Sequence, residues 1–146
     1  MKLAVIHGPN LNFTGIRQVE IYGSISFTDM CEYIENSIGV HAEITQFQSN
    51  HEGAIIDFIQ KCHGDGFDGI VINAGAYTHY SHAIADTIAS VAPAIPTIEV
   101  HMSNIYTRED FRHKSLVAPH CIGQISGFGV EGYIMAINHL IYLGRN

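Results

Sequence analysis

Ile95-Pro96-Thr97-Ile98-Glu99-Val100-His101 is a short apolar run that carries two polar side chains, two positions apart, at its end. Its length and β-branched content read as a buried strand over Thr97–Val100. Strand alternation then sets Glu99 and His101 side by side on one face. A carboxylate beside an imidazole fixes the ring's tautomer and raises its basicity, which makes His101 a candidate general acid or base. The same layout recurs upstream. Leu3–His7 runs into Gly8-Pro9-Asn10-Leu11-Asn12, and Gly69–Ile72 runs into Asn73-Ala74-Gly75. Ala42–Phe47 alternates as another strand, and Cys121–Ile125 gives a fifth.

Helical spacing fills the gaps between these runs. Ser26 with Asp29 forms a capping-box pattern before Phe27, Met30, Cys31, Ile34 and Ile38. Ile55, Phe58, Ile59 and Cys62 mark a second helix, and Gly64-Asp65-Gly66 a turn. Ile84, Ile88 and Val91 mark a third, stopped by Pro93 and Pro96. Val130, Ile134, Ile137 and Ile141 mark the last, with Gly144 as its stop. Strands alternating with helices imply a parallel sheet covered on both faces. The expected fold is α/β and flavodoxin-like: a doubly wound, five-stranded parallel sheet of order 2-1-3-4-5 in three α/β/α layers. Residues 1–146 make one domain. In such sheets ligands sit beyond the carboxyl ends of the strands, at the switch point. Asn10, Asn12, Asn73, His79, His101 and Ser103 all follow strands there, so the polar residues converge on one rim.

Composition narrows the partners. Apolar residues make up 47% of the chain and charged residues 14%, well under the usual quarter, so an apolar surface buried in an oligomer is expected. The net charge of −7 argues against general nucleic-acid or membrane-surface binding. No apolar run is long enough to span a bilayer. The apolar start at residues 1–7 is too short for a signal peptide and reads as a strand. Cys31, Cys62 and Cys121 are widely spaced and odd in number, which fits reduced core cysteines in a cytoplasmic protein.

Chemistry concentrates in a few places. Ser103, Asn104, Arg108 and Arg112 follow His101 closely, and of the four arginines three, Arg17, Arg108 and Arg112, fall in apparent loops. That concentration points to an anionic substrate handled by proton transfer. Residues 11–23, with Arg17 and Tyr22, form a long segment that reads as a lid. A lone tyrosine there is most simply a half-buried anchor, but a nearby guanidinium favours phenolate. Its pKa must fall roughly 3 units, or about 4 kcal/mol, to act at neutral pH. His79 and His82 have a ligand-like spacing, yet no Cys or carboxylate set completes a metal shell. Gln48-Ser49-Asn50-His51-Glu52-Gly53 reads as a helix cap with a polar loop that supports its neighbours. Gly127-Phe128-Gly129-Val130-Glu131-Gly132 matches a dinucleotide fingerprint literally, but it follows the last strand and no second strand with a ribose-binding acid remains. A helix–sheet packing turn is the better reading.

Taken together, Gly8-Pro9-Asn10-Leu11-Asn12, Arg17 through Tyr22-Gly23, residues 48–53, residues 73–79, Glu99 through Ile105, Arg108, Phe111-Arg112-His113 and Gly127-Phe128-Gly129 resemble the type II 3-dehydroquinate dehydratases over essentially the whole chain. The resemblance implies a metal-free, cofactor-free lyase that converts 3-dehydroquinate to 3-dehydroshikimate, and a homododecamer built as a tetramer of trimers. It implies Tyr22 as the tyrosinate base, Arg17 holding its pKa down, Asn10 positioning a water on the enolate, and His101, oriented by Glu99, protonating the departing hydroxyl. Ser103 and the backbone at Met102 match a carboxylate-binding turn, while Asn73, His79 and Arg112 match positions that hold ring hydroxyls. Asp86 matches a residue reaching a neighbouring subunit's site, and Arg108 a lid-side residue. Two departures stand out: Arg17-Gln18-Val19 lacks the family's usual proline, and Phe13-Thr14 replaces a frequent Leu-Leu pair. Without proline's fixed φ the lid should have more accessible states. The competing class is a flavodoxin-like binding or signalling module, but the strand ends carry amides where a receiver needs acids, and Pro9 where a phosphate loop needs glycine or serine.

Overall fold

Five short β-branched runs pair side by side because each leaves its backbone groups unsatisfied until a neighbour supplies partners. In the computed structural model, which describes residues 1–16 and 19–145 and only the backbone of Val19 and Tyr22, the strands are β1 (Lys2–His7), β2 (Glu43–Gln48), β3 (Gly69–Asn73), β4 (Thr97–His101) and β5 (Gly123–Ser126). They form one all-parallel sheet of order β2-β1-β3-β4-β5, as expected from the sequence. His7 lies level with Asn73 and Gln48, so the strand ends that bear the polar residues share one edge.

The helices are α1 (Val19–Tyr22), α2 (Phe27–Ile38), α3 (Glu52–Gly64), α4 (His82–Val91) and α5 (Glu131–Gly144). Strand alternation divides the core in two. Leu3, Val5, Val71, Ile98 and Val100 face α2 and α5, whereas Ala4, Ile6, Ile70 and Ile72 face α3 and α4. Each fully buried aliphatic side chain stabilises the fold by about 1.5–3 kcal/mol. Ser26 caps α2, accepting from the Asp29 amide at 3.1 Å and donating to its carboxylate at 2.7 Å. Ser81 caps α4 through the Ile84 amide at 2.9 Å and donates to Glu52 of α3 at 2.5 Å, which joins the two helices on that face.

Some local readings change. Residues 11–23 are not a bare loop, since a 3₁₀ turn at Leu11–Phe13 and the single turn of α1 occupy it. β5 begins at Gly123, so Cys121 lies outside it, ending a 3₁₀ turn at Ala118–His120. His51 precedes α3 without a side-chain cap. All three cysteines are free thiols, and burial pushes Cys31 and Cys62 up to about 11 and Cys121 to about 12. Among the described residues no helix is long and apolar enough to cross a membrane.

His7 ends β1 fully buried, and burial lowers its pKa from 6.5 to about 4 despite a hydrogen bond with Gln46 that acts the other way. The unfolded chain protonates this residue near 6.5 and the native chain does not, so its contribution is intact above that pH. It is lost as the pH falls and levels off below about 4. Denaturant unfolding between pH 6.5 and 4 should therefore decline about 3 kcal/mol less in His7→Asn than in the parent. Parallel pH dependences would assign the titration to other groups.

Candidate active site

The carboxyl ends of β1, β3 and β4 build a cleft because their loops can approach closely. A Cβ on Gly8 would stand 2.5 Å from the carbonyl carbon of Ala74, so only glycine lets the loops after β1 and β3 touch. The Gly8 amide donates to the Asn73 carbonyl at 2.7 Å. Asn10 follows with φ 67°, a left-handed conformation that asparagine tolerates better than most residues. Its amide donates to Asn50 Oδ1 at 2.9 Å, and Gln48 Nε2 donates to the Gly8 carbonyl at 3.2 Å and to Asn50 Oδ1 at 3.1 Å. The 48–50 segment thus props the Asn10 turn, the supporting role its sequence implied.

Glu99 and His101 share a face of β4 and meet at 2.5 Å, Nε2 donating to Oε1. Glu99 is wholly buried. Gln124 Nε2 also donates to Oε1 at 2.8 Å, and Ser115 Oγ donates to Oε2 at 2.7 Å. Ser115 is itself held by the amides of Val117 and Ala118. Burial alone pushes this carboxyl up, but the hydrogen bonds and charge of His101 and the bonds from Ser115 and Gln124 outweigh it, and the pKa lies below the ordinary value. With Nε2 committed to Glu99, Nδ1 is the nitrogen left to the cleft that the ring lines. Ser115 and Gln124 escape a reading of the sequence because both arrive through long-range contacts.

His79 stacks against His101, with centroids 6.1 Å apart and planes 18° from parallel. Its Nδ1 donates to the Lys114 carbonyl at 2.8 Å. Burial is the main cause that lowers the His79 pKa, helped by the charges of His101 and Arg112 and opposed by the Lys114 carbonyl and Glu99. The turn after β4 is clamped from β5 and the loop beyond it: Gly127 N donates to the His101 carbonyl at 3.1 Å, Gly129 N to the Met102 carbonyl at 2.9 Å, and Ser126 Oγ to the Ser103 carbonyl at 3.1 Å. A Cβ on Gly132 would lie 3.3 Å from Val100 and 3.4 Å from Ile125, so the glycine pattern here is a packing turn.

Arg108 Nη1 donates to Ser103 Oγ at 3.2 Å, and Arg112 Nε to Glu109 at 2.7 Å. Asn10, Asn73, His79, His101, Met102, Ser103, Arg108 and Arg112 all line the cleft. Two guanidiniums, two carboxamides and two imidazoles suit a small oxygen-rich anion. Glu99 lies beneath. Asp86 is exposed on α4 and does not line the cleft. Arg17 and the Tyr22 side chain fall outside the described residues, although Glu20, Ile21 and Gly23 border an adjoining hollow with Ser103 and Arg108. Lys114 follows a 3₁₀ turn at Asp110–His113 and is exposed. Lys2 sits over the Phe67 ring, and Lys61 pairs with Asp65.

A doubly wound sheet with an imidazole–carboxylate pair and paired arginines at its switch-point cleft defines a class of acid–base catalysts for anionic substrates. The chain belongs to the class II dehydroquinase family, which it matches over residues 1–141. It is 57% identical over 141 residues to the 3-dehydroquinate dehydratase of Clostridium beijerinckii, covering 96% of this chain and 95% of that one. The crystal structure of type II dehydroquinase from Butyrivibrio crossotus superposes with a TM-score of 0.94 at 55% identity, over 96% of this chain and 97% of that one. That from Propionibacterium acnes gives 0.91 at 34%, over 97% and 96%.

If Glu99 works through its charge, Glu99→Gln keeps the shape but lowers kcat on the order of 10²–10⁴-fold, with KM little changed. Steady-state kinetics on 3-dehydroquinate check this, and parental turnover would reduce the pair to packing.

Proposed function

We infer that the cleft eliminates water from 3-dehydroquinate to give 3-dehydroshikimate, as a hydro-lyase of the shikimate pathway that uses side chains alone. The observation that carries this reading is the convergence of Asn10, Asn73, His101 and Arg112 on one cleft, with Glu99 beneath, in a chain of this family. Tyr22, as tyrosinate beside Arg17, takes the proton alpha to the ketone. The electron pair moves onto the carbonyl oxygen, and the enolate is met by a water held by Asn10. The enolate then re-forms the ketone as the C–O bond to the beta hydroxyl breaks. His101 gives its proton to that hydroxyl, which leaves as water, and return of the proton from Tyr22 to His101 resets the site. Ser103 and the Met102 backbone receive the substrate carboxylate, with Arg108 bonded to Ser103 beside them. Asn73, His79 and Arg112 hold the ring hydroxyls.

Asp86, exposed on α4, fits a residue that completes the cleft of another copy. We take the assembly to be a homododecamer, a tetramer of trimers, in the cytoplasm. The single catalytic domain spans residues 1–146, with residues 11–23 as its lid. The relatives named above give no support to a binding or signalling module.

Tyr22→Phe deletes the base and keeps the ring, so kcat should fall at least 10³-fold with KM within a few-fold, followed by absorbance of the conjugated product. Retention of a tenth of the activity would exclude Tyr22 as base. The lysines stay clear of the cleft, so borohydride added with substrate should leave activity intact and add no mass. A substrate adduct on Lys114 would replace the enolate route with an imine.

A further inference from the structure

Behind Asn73 lies a buried chain of hydrogen bonds whose direction is set far from the cleft. Gln46 Nε2 donates to the Cys31 carbonyl and to Glu35 Oε1, each at 2.9 Å. With its nitrogen held by two acceptors, Gln46 turns Oε1 toward His7 Nε2, 3.0 Å away. An oxygen there requires the His7 proton on Nε2, which leaves Nδ1 a bare acceptor. The Tyr133 hydroxyl, 3.3 Å from Nδ1, therefore donates to His7 and keeps its lone pairs for Asn73 Nδ2 at 2.8 Å. On its other side Asn73 Oδ1 accepts from the Gly75 amide at 3.2 Å. Every donor in the chain has one consistent sense, from Asn73 through Tyr133 and His7 to Gln46.

We propose that Tyr133, with His7 and Gln46 behind it, is a positioning residue that locks the Asn73 carboxamide in one orientation for substrate. The lock leaves Asn73 one Nδ2 hydrogen and one Oδ1 lone pair for the cleft, each on a known side. A flipped amide would exchange them and set donor against donor at Gly75. Tyr133 and His7 are fully buried, so an unmade bond at either has no water to replace it. Burial holds His7 neutral, the state the chain requires, and keeps the Tyr133 phenol protonated. The four side chains come from β3, α5, β1 and β2, so the device spans the sheet.

The inference rests on the reading that Asn73 contacts substrate, and a double-mutant cycle separates the two. Asn73→Ala should raise KM. Tyr133→Phe should raise KM on the order of tenfold with kcat within about threefold. In the Asn73→Ala background, Tyr133→Phe should change KM by less than about twofold, because its effect passes through Asn73. Additive losses, or a parental KM in Tyr133→Phe beside a raised one in Asn73→Ala, would overturn the inference alone. A parental KM in Asn73→Ala would remove both it and the reading beneath it. Gln46→Ala, at the partly exposed far end, repeats the cycle should Tyr133→Phe not fold, with the same outcomes decisive.

Discussion

The rest of the site depends on one buried carboxylate, that of Glu99. A carboxylate with no access to water must be met by donors, and Glu99 finds three, His101, Gln124 and Ser115. Each donor fixes a different part of the molecule. Gln124 lies directly opposite Glu99 in the β4–β5 register, so the pair sets how the edge strand docks. Ser115 gathers the amides of Val117 and Ala118, which folds the chain back after the arginine segment. His101 is left with its imidazole edge at the cleft, and the turn that follows it is clamped by Gly127, Gly129 and Ser126.

A second buried network on the other side of the switch point solves the opposite problem. Glu99 is buried charged and surrounded by donors. His7 is buried neutral, with an acceptor at one nitrogen and a donor at the other. Both networks end on residues that line the cleft, His101 in one and Asn73 in the other. The cleft is therefore shaped from below, by polar groups already oriented before substrate arrives. Polar groups oriented in advance stabilise charge that develops during a reaction better than dipoles that must reorient.

Much of this was legible in the sequence because it rests on short periods. The two-residue spacing of Glu99 and His101 is enough to place them together, and helical spacing predicted α2 through α5. The sheet order followed from strand–helix alternation together with the usual order of five-stranded doubly wound sheets. Of the rim residues it named, Asn10, Asn73, His79, His101 and Ser103 line the cleft while Asn12 does not. What stayed hidden depends on distant segments meeting. Nothing local marks Tyr133, one of several apolar positions on α5, as the partner of Asn73 sixty residues earlier. Gln124 and Ser115 look like ordinary polar residues until β5 docks. β5 starts later than the apolar pattern implies, because Cys121 and Ile122 continue that pattern while the Cys121 amide closes the turn at Ala118. Asp86 is exposed on α4 and stands away from the cleft lining.

Glu99 dictates which nitrogen of His101 faces the cleft. Nitrogen-15 NMR of His101, at a pH where the ring is neutral, reads this directly, because protonated and bare ring nitrogens differ widely in chemical shift. Nε2 should be protonated and Nδ1 bare, with that preference lost when Glu99 is replaced by Ala. A ring protonated on Nδ1, or one whose tautomer is indifferent to the loss of Glu99, would contradict it.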